Sequence, residues 1–169
     1  MTIRTSSPDG VTAQPNLATV VGVKESMVTI DVSTTPVMKN EVGYVLVGEE
    51  RLKAEVLRVQ GNVADMQVFE ETDGVKVGDS VELSGSMLSA MLGPGLLGQV
   101  FDGLLTPLDV LARDHGFFLP RGVTVSSIDE NKKWEFEPRA NIGDKLLPGQ
   151  TIGITQEGPF EHRIMVPFE

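Results

Sequence analysis

The chain has 169 residues, 40% of them apolar and 22% charged, a balance that supports a hydrophobic core and excludes global disorder. Its formal net charge of −10 repels phosphate backbones and anionic membrane surfaces, so no nucleic-acid partner and no direct membrane insertion are expected. Cysteine is absent, which removes disulfides, thiolate nucleophiles and thiolate-bound zinc.

Aromatic residues make up only 5% of the chain, so the core must be built from Val, Leu, Ile and Met. With 18 glycines and 10 prolines, the composition suits many short strands joined by tight turns. Residues 1–16 are polar, carry Pro8 and Pro15, and read as a flexible lead-in without the apolar segment of a signal peptide. No apolar run approaches the roughly 18 residues needed to span a bilayer, and a cytoplasmic location is expected.

Residues 17–23 and 27–32 are β-rich runs around Lys24, Glu25 and Ser26, which predicts a hairpin. Residues 41–47 form a third run, followed by a turn at Gly48. Residues 52–59 alternate, with Leu52, Ala54 and Val56 on one side and Lys53, Glu55 and Leu57 on the other. Gln60, Gly61 and Asn62 turn the chain, residues 63–69 return, and residues 81–83 are a last short strand. The expected fold is mainly β, with a small six-stranded antiparallel barrel over residues 17–85.

Residues 86–115 have a different texture. Leu97, Val100, Phe101, Leu104, Leu105, Leu108, Leu111 and Ala112 follow helical spacing, but Gly93, Gly95, Gly98 and Gly103 with Pro94 and Pro107 interrupt it. Two short helical turns are therefore predicted as a connector. Ser86 would cap a first turn stopping at Gly93. Thr106 as N-cap, Pro107 as first residue and Asp109 in the first turn predict a helix reaching about Arg113. Residues 116–169 predict a second β-rich, barrel-sandwich-like module, with strands at 123–128, 134–138, 151–155 and 162–166. Its corners fall at Pro148-Gly149 and Gly158-Pro159.

Candidate chemistry is sparse. Gly93, Gly95 and Gly98 spell G-x-G-x-x-G, yet Pro94 offers no N–H to a pyrophosphate and no strand precedes the loop, so a tightly packed corner is the better reading. Neither G-x-x-x-x-G-K-[ST] nor G-x-S-x-G occurs. His115 and His162 each lack a second histidine at ligand spacing and read as surface or turn residues. Glu70, Glu71 and Asp73 lack calcium-loop spacing and read as a solvated hairpin end. Lys132, Lys133 and Trp134 place two cations beside an aromatic, and Trp134 reads as the anchor of the second module's core. The Gly-Asp corner around Lys145 is similar to the turn of lipoyl- and biotinyl-type carrier domains, the alternative functional reading. No catalytic, cofactor-binding or metal-binding residue is assigned.

Several segments in order resemble one family, the catalytic A subunit of V/A-type rotary ATPases. The resemblance covers residue 17 onward and rests on Gly48, residues 52–58, QVFEETDGVKVGD (67–79), Gly85, Leu88, LGPGLLG (92–98), Phe101-Asp102-Gly103 and Pro107-Leu108. It continues through Arg121-Gly122, KKWEFEP (132–138), GDKLLPGQTIG (143–153) and EHRIMVP (161–167). It implies the N-terminal barrel and the bulge insertion of a subunit that couples ATP synthesis or hydrolysis to proton or sodium transport. ATP and magnesium would bind in the full-length subunit, where the family's nucleotide-binding domain follows. The implied partners are the B subunit and other A subunits in the catalytic ring, with peripheral stalk subunits reached through the bulge. The complex would sit on the cytoplasmic side, peripheral to the membrane.

Overall fold

The computed structural model describes residues 16–116 and 120–168. The lead-in read at residues 1–16 lies outside them except for Asn16, which begins a strand. Phe117, Phe118 and Leu119 of the second module also lie outside the described residues. Two compact units are present, the first comprising the chain through Leu88 with Arg121–Val123, the second the remainder.

Unit 1 is a closed six-stranded barrel. Its strands are β1 (Asn16–Lys24), β2 (Met27–Asp31), β3 (Glu41–Val47), β4 (Glu50–Gln60), β5 (Val63–Val68) and β6 (Ser80–Met87). They run in the order β1-β2-β5-β4-β3-β6, all antiparallel, and β6 closes the ring by pairing Val81 with both Ala18 and Val45. The expected fold class is therefore borne out, with β4 and β6 longer than their apolar runs indicated. Alternation explains the inside. Val20, Val28, Ile30, Val45, Leu52, Ala54, Val56, Met66 and Val81 are all fully buried. A barrel this narrow is filled by small branched side chains, which accounts for the scarcity of aromatics.

Two-residue hairpins set the register. Lys24 pairs with Met27, Val47 with Glu50 and Gln60 with Val63. Gly48 and Gly61 take the left-handed conformation these turns demand, with φ of 61° and 58°, whereas the first hairpin places Glu25 there at φ 53°. At the start of β3 a bulge shifts the pairing between Glu41 and Gly43. Glu41 is buried inside that bulge, where Oε1 accepts the Gly85 N–H at 2.7 Å and Oε2 accepts that of Met38 at 2.8 Å. The carboxylate thus satisfies amides that the disturbed ladder leaves unpaired.

Unit 2 contains α1 (Leu108–His115) and a three-stranded sheet of β7 (Phe136–Pro138), β8 (Thr151–Glu157) and β9 (Phe160–Met165), in that order. Three expectations need correction. Ser86 caps no turn, because it lies within β6, and residues 88–100 carry no helix. Gly95 and Gly98 adopt φ of 108° and 80°, which breaks any helical path there.

Thr106 is not the N-cap of α1. That position belongs to Pro107, with no side-chain cap. Thr106 is already committed to a tight loop, in which its N–H and that of Leu104 both donate to Asp102 Oδ1 at 2.8 Å. Asp109 sits in the first turn of α1 and Arg113 and His115 in its last, each favourably placed for the helix dipole.

Residues 123–128 form no strand. Ser127 is buried and its hydroxyl donates to the Met91 carbonyl at 2.7 Å, so this run packs as a loop within unit 2 from Thr124 onward.

Candidate functional site

The glycine stretch that resembled a phosphate cradle does hold an anion, and the anion belongs to the chain itself. Glu157 closes β8 beside the Gly158-Pro159 turn, and its Oε1 accepts the N–H of Gly95 at 2.7 Å and of Leu97 at 3.0 Å. Its other oxygen lies 3.2 Å from Nδ1 of His162 on β9. The pairing of Glu157 with Phe160 and of Thr155 with His162 puts both side chains on one face of the hairpin. The Glu157 side chain is 8% exposed and that of His162 34%.

Burial works against the Glu157 charge. The Gly95 and Leu97 amides, followed by His162, outweigh it and hold the carboxyl below the ordinary glutamate range. Trp134 closes the loop from another side, since a Cβ built on Gly95 would lie 3.3 Å from its ring. The Lys132 ammonium stands 4.1 Å from the centre of that ring, a cation–π pair. Trp134 is half-buried, so it anchors the glycine loop more than a closed core.

The remaining candidates are dispersed. His115 is exposed at the end of α1, and only His162 meets a carboxylate. Lys145 lies exposed in the long connection between the paired antiparallel strands β7 and β8, apart from the tight Gly158-Pro159 turn that joins β8 to β9. Among the described residues, no group of three or more His, Asp or Glu side chains converges to hold a metal ion. No helix among them is long and apolar enough to cross a membrane.

In the acidic run 70–73, Glu71 and Asp73 are exposed, as read for a solvated hairpin end, while Glu70 is half-buried and its carboxylate is engaged. Glu70 Oε1 accepts the Lys53 N–H at 3.3 Å, and its Oε2 accepts the N–H of Gly122. The carbonyls of Glu71 and Asp73 accept from Arg121. Arg121–Val123, inside the span read as the second module, group with unit 1. Sequence reasoning missed both Glu157 and Arg121. The trace that did exist was an acid and a histidine flanking a Gly-Pro hairpin at 157 and 162, beside a glycine loop with amides to satisfy.

Comparison with known proteins follows the same division. Residues 17–85 match the beta-barrel domain of the ATP synthase alpha/beta family, and residues 125–169 match the ATP synthase alpha/beta subunit barrel-sandwich domain. A V-type ATP synthase alpha chain from Treponema denticola is 50% identical over 149 residues, which is 88% of this chain and 25% of the relative. V-type ATP synthase alpha chain 1 of Treponema pallidum is 54% identical over 129 residues, 76% of this chain and 22% of the relative. The V-type alpha chain of Borrelia recurrentis is 47% identical over 150 residues, 89% of this chain and 26% of the relative. The chain spans about a quarter of the length of these curated relatives. With its barrel and its barrel-sandwich segment both matched, the chain belongs to the ATP synthase alpha/beta family and corresponds to the N-terminal region of V-type ATP synthase alpha chains.

Proposed function

We propose that these residues form the assembly region of the catalytic subunit of a V-type ATP synthase, whose full-length form couples ATP synthesis or hydrolysis to proton or sodium transport across a membrane. The observation that carries this reading is the closed barrel matched at 17–85 followed by a barrel-sandwich match at 125–169, in a chain 50% identical to a V-type alpha chain. The proposed division is a lead-in at 1–16, the barrel at 17–85, a connector at 86–115 and the bulge at 116–169. In it the barrel packs with barrels of the B subunit and of other A subunits in a ring. The bulge reaches toward peripheral stalk subunits, on the cytoplasmic side and peripheral to the membrane. ATP and magnesium are assigned to the longer subunit, because no phosphate-cradling G-x-x-x-x-G-K-[ST] occurs in this sequence.

The experiment has two arms. Native mass spectrometry of the chain mixed with the B subunit is expected to show a complex that a barrel-deleted B subunit does not form. Millimolar Mg-ATP is expected to leave the melting temperature of the chain unchanged and to be recovered without turnover. Failure to associate, or hydrolysis by the chain alone, overturns the proposal.

A further inference from the structure

We propose that the glycine loop 93–98 is a charge-held latch: the Gly95 and Leu97 amides form an anion cradle whose resident anion is the Glu157 carboxylate, and loss of that anion releases the loop from the β8–β9 hairpin.

The argument starts from what else holds the loop. Leu92, Leu97 and Val100 are 72%, 54% and 67% exposed and Pro94 and Leu96 only half-buried, so no apolar side chain of the loop is fully buried to anchor it. The packing of Gly95 beneath Trp134 and of Gly93 near Ile128 adds shape without a directional tie. The long-range polar ties are the Ser127 hydroxyl on the Met91 carbonyl, just before the loop, and the Glu157 carboxylate within it. Two amides converge on one carboxylate oxygen, a geometry made accessible by the left-handed backbone at Gly95 and Gly98. Hydrogen bonds to a charged acceptor are about twice as strong as neutral ones. The latch is therefore stronger than its two-bond count suggests, and it depends on charge.

The groups that bear on that charge are few. From β9, His162 faces Glu157 directly. From the segment packed on Gly95, Lys132 stands over the Trp134 ring. The strand alternation turns Gln156 of β8, Glu137 of β7, and Glu161 and Arg163 of β9 toward the opposite face. When the carboxylate leaves, the two N–H groups and the imidazole are free to take a small oxyanion, a carboxylate or a phosphate group, from solution or from a partner.

Hydrogen exchange at the Gly95 and Leu97 amides of the full 169-residue chain tests this. Glu157→Ala is expected to speed both by about tenfold or more, with Val45 and Leu52 of the barrel unchanged. Glu157→Gln, which keeps an acceptor oxygen without the charge, is expected to fall between the two. Sodium formate, as the added oxyanion, is expected to slow the exchange again in Glu157→Ala and to leave the parent chain unaffected. Unchanged exchange in Glu157→Ala overturns the latch, and absence of the formate effect overturns the cradle. Should Glu157→Ala fail to fold, acidifying the parent chain asks the same question. After correction for intrinsic pH dependence, Gly95 and Leu97 must open before the β8 amides, and simultaneous opening overturns the latch.

Discussion

Arg121 and Glu50 stand 71 positions apart in the chain, yet Nη2 and Nε of the arginine lie 2.5 and 2.8 Å from the same Glu50 carboxylate oxygen. The segment behind this pair is fitted closely to the barrel. A Cβ on Gly122 would lie 3.2 Å from that of Glu50 and 3.3 Å from the Arg51 nitrogen, and Gly122 has φ 74°. Hydrogen bonding to Glu50 holds the Arg121 guanidinium above even the usual arginine range. Arg121 and Gly122 are thereby fixed on the start of β4 and on the acidic run after β5.

Arg121→Ala is expected to lower the melting temperature of the barrel at low ionic strength. The difference should shrink in about 1 M salt, because both side chains are partly exposed and the pair is screened. Arg121→Lys restores the charge without the forked donors and should recover only part of the loss. Calorimetry at two salt concentrations checks both statements. A salt-independent loss would place the effect in packing.

The barrel's stability rests on small, fully buried side chains. Leu52 is inaccessible to solvent in β4, within a cluster that includes Ala54, Val56, Met66 and Val81. Leu52→Ala is expected to cost about 2–5 kcal/mol, the transfer of the lost methyl groups plus the cavity left behind. Urea unfolding measures it, and the slope should stay unchanged if the fold is preserved.

Gly153 decides the close approach of β7 and β8. A Cβ there would lie 2.5 Å from the Glu137 carbonyl oxygen and would also strike the Phe136 ring. The bulge in the β8–β9 register between Thr151 and Gly153 leaves little slack. Gly153→Ala is expected to cost about 1–3 kcal/mol through forced separation of the strands. The check is faster exchange at the amides of Phe136 and Glu137 with the barrel untouched.

The Glu157 knot predicts an acid limb of stability. Its folded carboxyl lies below the ordinary glutamate range, so its contribution is fully present above that range. The contribution fades as pH falls through the ordinary range toward the folded value. Unfolding of the second unit, followed by Trp134 fluorescence, should show this slope in the parent chain and a flatter one in Glu157→Gln. A double-mutant cycle with His162→Ala isolates the imidazole's share.

Much of unit 1 was legible because strand alternation is a local property. Leu52, Ala54 and Val56 face inward for the reason their spacing announces, and the turns at Gly48 and Gly61 need the backbone freedom that glycine supplies. The bulge at Glu41 was not legible, since a glutamate in a β-rich run carries no local sign that it will cap amides at Met38 and Gly85. The connector was overread for a related reason. Leu and Val at helical spacing predict a helix only when the backbone is free to form one, and here Gly95 and Gly98 turn left-handed while Asp102 captures the Thr106 amide.

By itself, then, the sequence determined the six-stranded barrel, the family and the absence of a phosphate-binding loop of the lysine type, all of which depend on residues close together in the chain. The tertiary structure alone decided what fills the glycine loop and where Arg121 goes. Both are contacts over long sequence separations, 62 positions from Gly95 to Glu157 and 71 from Glu50 to Arg121. The glycine stretch had free amides, and free amides demand an acceptor. Which acceptor came to them depended on how the chain folded back, and the fold supplied Glu157.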